Sequence, residues 1–218
     1  MKQLIILGTG GNCTDILDTV NEINKISPQF NCIGFLDDNK AQHNKKFYDV
    51  PVLGDLSECT SYPDAFFVNG IGSERNFWMK QAIIEKTTIP FHRFVTIIHP
   101  TASVSAMATL GFGVVVFQQV TITSNVQMGN HVIILPNSVI SHDVVIGDYT
   151  SITGGVCISG AVQIGDSCYI GTNSSLLGGI TIGKHVLIGM GSNVLHSVEK
   201  NSVVIGNPAK VSRPLIKD

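Results

Sequence analysis

A chain of 218 residues with 44% apolar and 14% charged side chains can bury a full core and is not a disordered segment. Its formal charge of −2, without any run of Lys or Arg, argues against a nucleic-acid track or an anionic membrane surface as partner. No stretch approaches the roughly 18 apolar residues of a membrane span. The start lacks the longer apolar region of a signal peptide, and the five scattered cysteines read as reduced thiols in a cytoplasmic protein.

Up to about position 95 the sequence alternates strand-like and helix-like segments. Leu4 to Leu7 is an apolar run ending in Gly8-Thr9-Gly10-Gly11, and a helical stretch follows from about Thr14 to Ile26. Cys32 to Leu36 ends at Asp37-Asp38, and Ala65 to Val68 ends in Asn69-Gly70-Ile71-Gly72 before a helix expected from Arg75 to Ile84. A fourth strand is expected from Phe94 to Ile98. This alternation predicts a small Rossmann-like α/β domain over residues 1–97, with ligands beyond the carboxyl ends of a parallel sheet. The glycine loop admits three readings: a nicotinamide dinucleotide site, a nucleotide-sugar pyrophosphate site, or a structural turn. The first fits least well, because Cys13 stands where the dinucleotide pattern needs its third glycine.

Beyond this domain the period becomes six. Sixteen residues stepping by six from Val104 to Val194 are all aliphatic, and four positions after each stands a small or β-branched residue, from Ala108 to Val198. Such a period fits neither a helix nor a hairpin sheet, whereas a triangular solenoid accommodates it, one hexapeptide per face and eighteen residues per coil. Residues 98–218 are therefore expected to form an all-β, left-handed parallel β-helix with a C-terminal tail, its coils stacked about 4.8 Å apart.

Stacking by eighteen places Ser124, His142, Gly160, Gly178 and His196 in one corner column. Asp143 beside His142 can orient its ring, and Gly160 one coil on leaves an N–H open to an oxyanion. A plain polar corner is the alternative. His131, His185 and His196 read as surface residues, His99 as the domain junction, and Cys157 and Cys168 as small inward or packing residues.

The combination of Gly8-Thr9-Gly10-Gly11, Gly34-Phe35-Leu36-Asp37-Asp38, Ile98-His99-Pro100, Ser141-His142-Asp143 and Gly206-Asn207-Pro208-Ala209-Lys210 resembles the bacterial hexapeptide acyltransferases of the sialic-acid O-acetyltransferase and UDP-4-amino-sugar N-acetyltransferase family. The resemblance implies a homotrimer with active sites at subunit interfaces, acetyl-CoA as cosubstrate and no metal. It makes His142 the general base, Asp143 its orienting partner and Gly160 the oxyanion donor. Acetyl-CoA contacts fall at Ser151, Gly160, Thr172, Gly178 and Met190, and substrate contacts at Gly10, Gly11, Asn12, Asp37, Asp38 and Gly72. The family usually has histidine where Asn12 stands, and often where Ser151 stands. The expected reaction is N-acetylation of a nucleotide-linked 4-amino-4,6-dideoxy sugar. O-acetylation of sialic acid is the nearest alternative, a non-catalytic scaffold or nucleotide sensor the next, and a zinc enzyme of the γ-carbonic-anhydrase kind a remote one.

Overall fold

The computed structural model describes residues 1–215, so the last three positions of the expected second domain lie outside the described residues. The N-terminal sheet contains β1 (Lys2–Leu7), β2 (Phe30–Leu36), β3 (Lys46–Phe47), β4 (Val50–Gly54) and β5 (Phe66–Asn69), in the order β3-β4-β2-β1-β5. β1, β2, β4 and β5 run parallel, while β3 pairs antiparallel with β4. The helix α1 (Gly11–Ile26) starts directly at the glycine loop, three residues before the expected position, and buries Ile16, Val20 and Ile23. The expected second helix is broken into a 3₁₀ turn, Phe77–Met79, and the short α2 (Lys80–Glu85). The break has a packing cause: Phe77 is fully buried with its ring 5.6 Å from that of Tyr169 on the solenoid, a contact that holds this segment to the neighbouring domain.

The expected fourth strand also divides. Phe94 makes an isolated bridge to Phe67, whereas Ile97–Ile98 pairs with Val115–Val116 and is the first strand of the solenoid. From there, two-residue strands recur every six residues and each pairs, parallel and in register, with the strand eighteen positions on. Three sheets result, forming the three faces of a left-handed parallel β-helix. The first face contains the strands from Ile97–Ile98 through Leu187–Ile188 and ends in the hairpin Ser202–Gly206 and Ala209–Pro214. The second face runs from Ser103–Val104 to Asn193–Val194, and the third from Thr109–Leu110 to Thr181–Ile182. Both residues of the sequence repeat point inward and form one continuous core, from Val114 and Val116 to Val198 and Val204. The corner geometry has its own six-residue rhythm: Asn125, His131, Asn137, Asp143 and Tyr149 all have positive φ, a conformation that Asn and Asp adopt more readily than most residues.

The outward column of the first face consists of Ile97, Val115, Ile133, Ser151, Tyr169 and Leu187, read at a stride of eighteen. Its apolar members pack against the N-terminal domain: Val115 and Ile133 share a core with α1 and β1, while Tyr169 and Leu187 pack around Phe77. The two domains are thus joined side by side along this face.

His131 corrects the surface expectation. It is fully buried, stacked on Tyr149 with centroids 5.3 Å apart and edge-on to Phe94, and neither ring nitrogen has a partner among the described residues. Its corner is the one that the N-terminal domain covers. Burial, followed by the Lys80 charge, pushes its pKa down to about 3. The folded state holds this ring neutral while the unfolded chain protonates near 6.5, so its contribution to stability is complete above that pH and falls as pH drops towards 3. At pH 5 the loss is about 2 kcal/mol. Thermal melts of wild type and His131→Phe at pH 7.5 and pH 5 test this: the variant should lose less stability on acidification, and an equal loss would refute the assignment. Cys157 is a second correction. It is exposed on the outer surface of the second face, while Cys168 is buried as expected.

Candidate active site

The carboxyl ends of β1, β2 and β5 open into a cleft of about 470 Å³. Gly10, Gly11, Asn12, Asp37, Asp38 and Gly72 all line it, so the six expected substrate contacts form one surface. Each arrives there by chain geometry: the loop after β1 carries Gly10 to Asn12, Asp37 and Asp38 follow β2, and Gly72 follows β5. Gly10 occupies the position before α1, and its carbonyl accepts from the Cys13 and Thr14 N–H groups. The preceding N–H groups at such a helix start point outward, the arrangement that receives phosphate oxygens. Both Gly10 and Gly11 have open space where a side chain would stand. Asp37 accepts from Thr9 Oγ1 at 2.6 Å and from the Asn39 N–H, and Asp38 accepts from the Leu56 N–H, so both carboxylates are held at the rim. Cys13, in place of the dinucleotide pattern's third glycine, is buried, and desolvation pushes its thiol up to about 12, which rules out a thiolate role at neutral pH.

The second cluster lies on the corner between the second and third faces. His142 Nδ1 is 2.8 Å from Asp143 Oδ2. A carboxylate only accepts, so Nδ1 carries the proton and Nε2 keeps a free lone pair in the neutral ring. The hydrogen bond from His142, then that from Asn125, holds the Asp143 carboxyl below the usual carboxylate range, and it is an anion at neutral pH. The imidazole lies against Gly160: a Cβ there would stand 2.5 Å from Cε1 and 2.6 Å from Nε2. Only glycine leaves the ring this position. The Gly160 carbonyl accepts from Gly179, while its N–H makes no hydrogen bond among the described residues. A lone pair on one side and a bare N–H on the other are the elements of a base and an oxyanion donor.

The five expected acetyl-CoA contacts do not share one surface within the chain. Gly160 and Gly178 are on the His142 corner, whereas Thr172 and the exposed Met190 follow strands of the first face and are on the corner between the first and second faces. Ser151 is buried on the first face and lines a narrower cleft of about 150 Å³ with Asn12, Gly72, Ser73, Thr153 and Tyr169.

Comparison with known proteins resolves the ancestry of both parts. The PglD N-terminal domain family matches residues 3–86, and the bacterial transferase hexapeptide family matches residues 125–160 and 161–196. The chain belongs to the PglD-type hexapeptide acyltransferases. No curated protein sequence matches it significantly, but solved structures do. PerB from Caulobacter crescentus, in complex with CoA and GDP-perosamine, is 25% identical with a TM-score of 0.83, covering 98% of each chain. The acetyltransferase domain of PglB from Neisseria gonorrhoeae FA1090, in complex with acetyl coenzyme A, is 25% identical with a TM-score of 0.84 over 96% of this chain and 98% of that one. WeeI from Acinetobacter baumannii AYE, at 23% identity and a TM-score of 0.81 over 97% and 100% of the chains, shares the fold.

Two features of this PglD-type chain escaped the sequence reading. Lys80, the one lysine in the stretch from Arg75 to Ile84, is fully buried beside Ser151, with Nζ 3.5 Å from Oγ. The narrow cleft between the domains is the other. Among the described residues no three His, Cys, Asp or Glu side chains gather as metal ligands, and no helix is long and apolar enough to cross a membrane.

Proposed function

We propose that this acyltransferase uses acetyl-CoA to N-acetylate the amine of a nucleotide-linked 4-amino-4,6-dideoxy sugar in bacterial glycan biosynthesis. One observation carries the acceptor class: Gly10, Gly11, Asn12, Asp37, Asp38 and Gly72 surround a single cleft at the carboxyl ends of the sheet. That cleft combines a phosphate-receptive helix start with carboxylates suited to hydroxyl and amide donors. The relatives bound to CoA with GDP-perosamine and to acetyl coenzyme A support the same pair of substrates.

In the proposed mechanism the sugar amine attacks the thioester carbonyl carbon while His142 Nε2 takes the proton that nitrogen loses. Asp143 fixes the ring and supports its positive charge. The Gly160 N–H donates to the oxyanion of the tetrahedral intermediate. Collapse breaks the C–S bond, and the leaving thiolate takes the proton back from His142 to give CoA thiol and the acetamido sugar. No covalent enzyme intermediate forms.

The separation of Gly160 and Gly178 from Thr172 and Met190 supports a homotrimer in which two different corners, one from each neighbour, enclose the acyl donor. Ser151, in the narrow cleft beside the acceptor cleft of its own chain, then stands where donor and acceptor meet. The proposed site of the reaction is the cytoplasm.

A thiol-release assay with acetyl-CoA should show turnover of UDP-, GDP- or dTDP-linked 4-amino sugars above free or CMP-linked sialic acid. Preference for sialic acid would shift the acceptor to a hydroxyl. Absence of acetyl-CoA binding would favour a non-catalytic scaffold.

A further inference from the structure

Ser151 interrupts the otherwise apolar and aromatic outward column of the first face, at the point where Lys80 meets it. Lys80 is 0% exposed, and Ser151 Oγ is its hydrogen-bond partner. No carboxylate pairs with it among the described residues, and burial alone pushes its pKa down to about 7. Burial at such a depth disfavours the charged form of the amine, and an anion brought to it would favour that form again. His131, the nearby buried ring, is neutral and supplies no such charge.

The geometry around the pair is directional. Lys80 Nζ donates to the Ser151 oxygen, so the hydroxyl's own proton is left to point elsewhere. Ser151 lines the narrow cleft, which shares Asn12, Gly72 and Ser73 as walls with the acceptor cleft. Gly72, at φ +141°, lies flat on the pair: a Cβ there would be 3.2 Å from Lys80 Cδ and 3.3 Å from Ser151 Oγ. Thr153 is already engaged, donating to the Ile170 carbonyl and accepting from Thr172. Glu74, also on this cleft, is exposed and lies 3.5 Å from Arg75.

We propose that Lys80 and Ser151 form an anion-recognising relay, in which the buried ammonium polarises the Ser151 hydroxyl to hold a negatively charged oxygen of the acceptor. Lys80 is a positioning residue, since it acts through Ser151. The inference rests on the nucleotide-linked acceptor proposed above. The charged oxygen has two chemical sources, the distal phosphate of a nucleoside diphosphate or a carboxylate on an acidic sugar.

Calorimetric titration of the full chain and of its Lys80→Met and Ser151→Ala variants separates them, with UDP and GDP, UMP and GMP, and free N-acetylneuraminate as probes. Both substitutions should weaken UDP or GDP at least tenfold while changing UMP or GMP less than twofold. Lys80→Met should melt at or above the wild-type temperature, because an apolar chain of similar length replaces an unpaired charge. A merely structural lysine would instead lower the melting temperature and affect monophosphates and diphosphates alike. Weakening confined to N-acetylneuraminate would assign the relay to a carboxylate. Wild-type affinities in both variants, or a wild type that binds none of the probes, would overturn the relay. Diphosphate binding lost on substitution, in a protein that turns over no amino sugar, would leave the relay standing and remove the proposed reaction.

Discussion

His142→Ala is expected to lower turnover by about 10² to 10⁴-fold, the range typical of a removed general base. The KM for acetyl-CoA should change little, because the alanine removes proton transfer and leaves the corner backbone in place. The fold should survive: the His142 side chain is 61% exposed, and the inward residues of its coil, Ile140 and Val144, are untouched. The wild-type mass in solution and an unchanged melting temperature would accompany the lost rate. Turnover within threefold of wild type would remove His142 from the mechanism. Asp143→Asn is the milder companion, since an amide can still accept from Nδ1 while losing the charge that supports the imidazolium.

Gly160→Ala should cost about 10²-fold in turnover, the scale associated with loss of one oxyanion donor. The reason is steric before it is electrostatic. The new methyl would occupy the space of the His142 ring, 2.5 Å from Cε1, so the imidazole must swing away and the approach to the Gly160 N–H closes with it. Neither group belongs to the solenoid core, and the variant should therefore melt within a few degrees of wild type. Unaltered turnover would show that the ring does not need to rest against Gly160 during the reaction.

The solenoid was legible because its core repeats: an aliphatic residue every sixth position tolerates no alternative periodicity. The His142 corner followed from the same arithmetic, since residues eighteen apart stack. What the arithmetic did not convey was which corner faces another domain. His131 and His142 hold different places in the hexapeptide, yet both read as polar corner residues, and only the covering N-terminal domain makes one buried and the other exposed. The signal for that cover exists in the outward column from Ile97 to Leu187, which apart from Ser151 is apolar or aromatic at a stride of eighteen while its counterparts on the second face are mostly small or polar. In the N-terminal domain β3 escaped notice because it has only two residues, and β4 because Pro51 interrupts its apolar run. Lys80 could not be recognised from the sequence, since a single lysine in a helical stretch normally extends into solvent.

A stacked coil also works as a ruler. Because the N-terminal domain is fixed along the first face, the distance between the proposed acceptor cleft and the His142 corner is set by the coils that separate their levels. Gain or loss of one eighteen-residue coil would preserve every inner contact but slide one station past the other by about 4.8 Å. Reach along this scaffold therefore changes in whole steps. Finer adjustment to a longer, shorter or differently linked acceptor falls to the loops after β1, β2 and β5, whose lengths no repeat constrains.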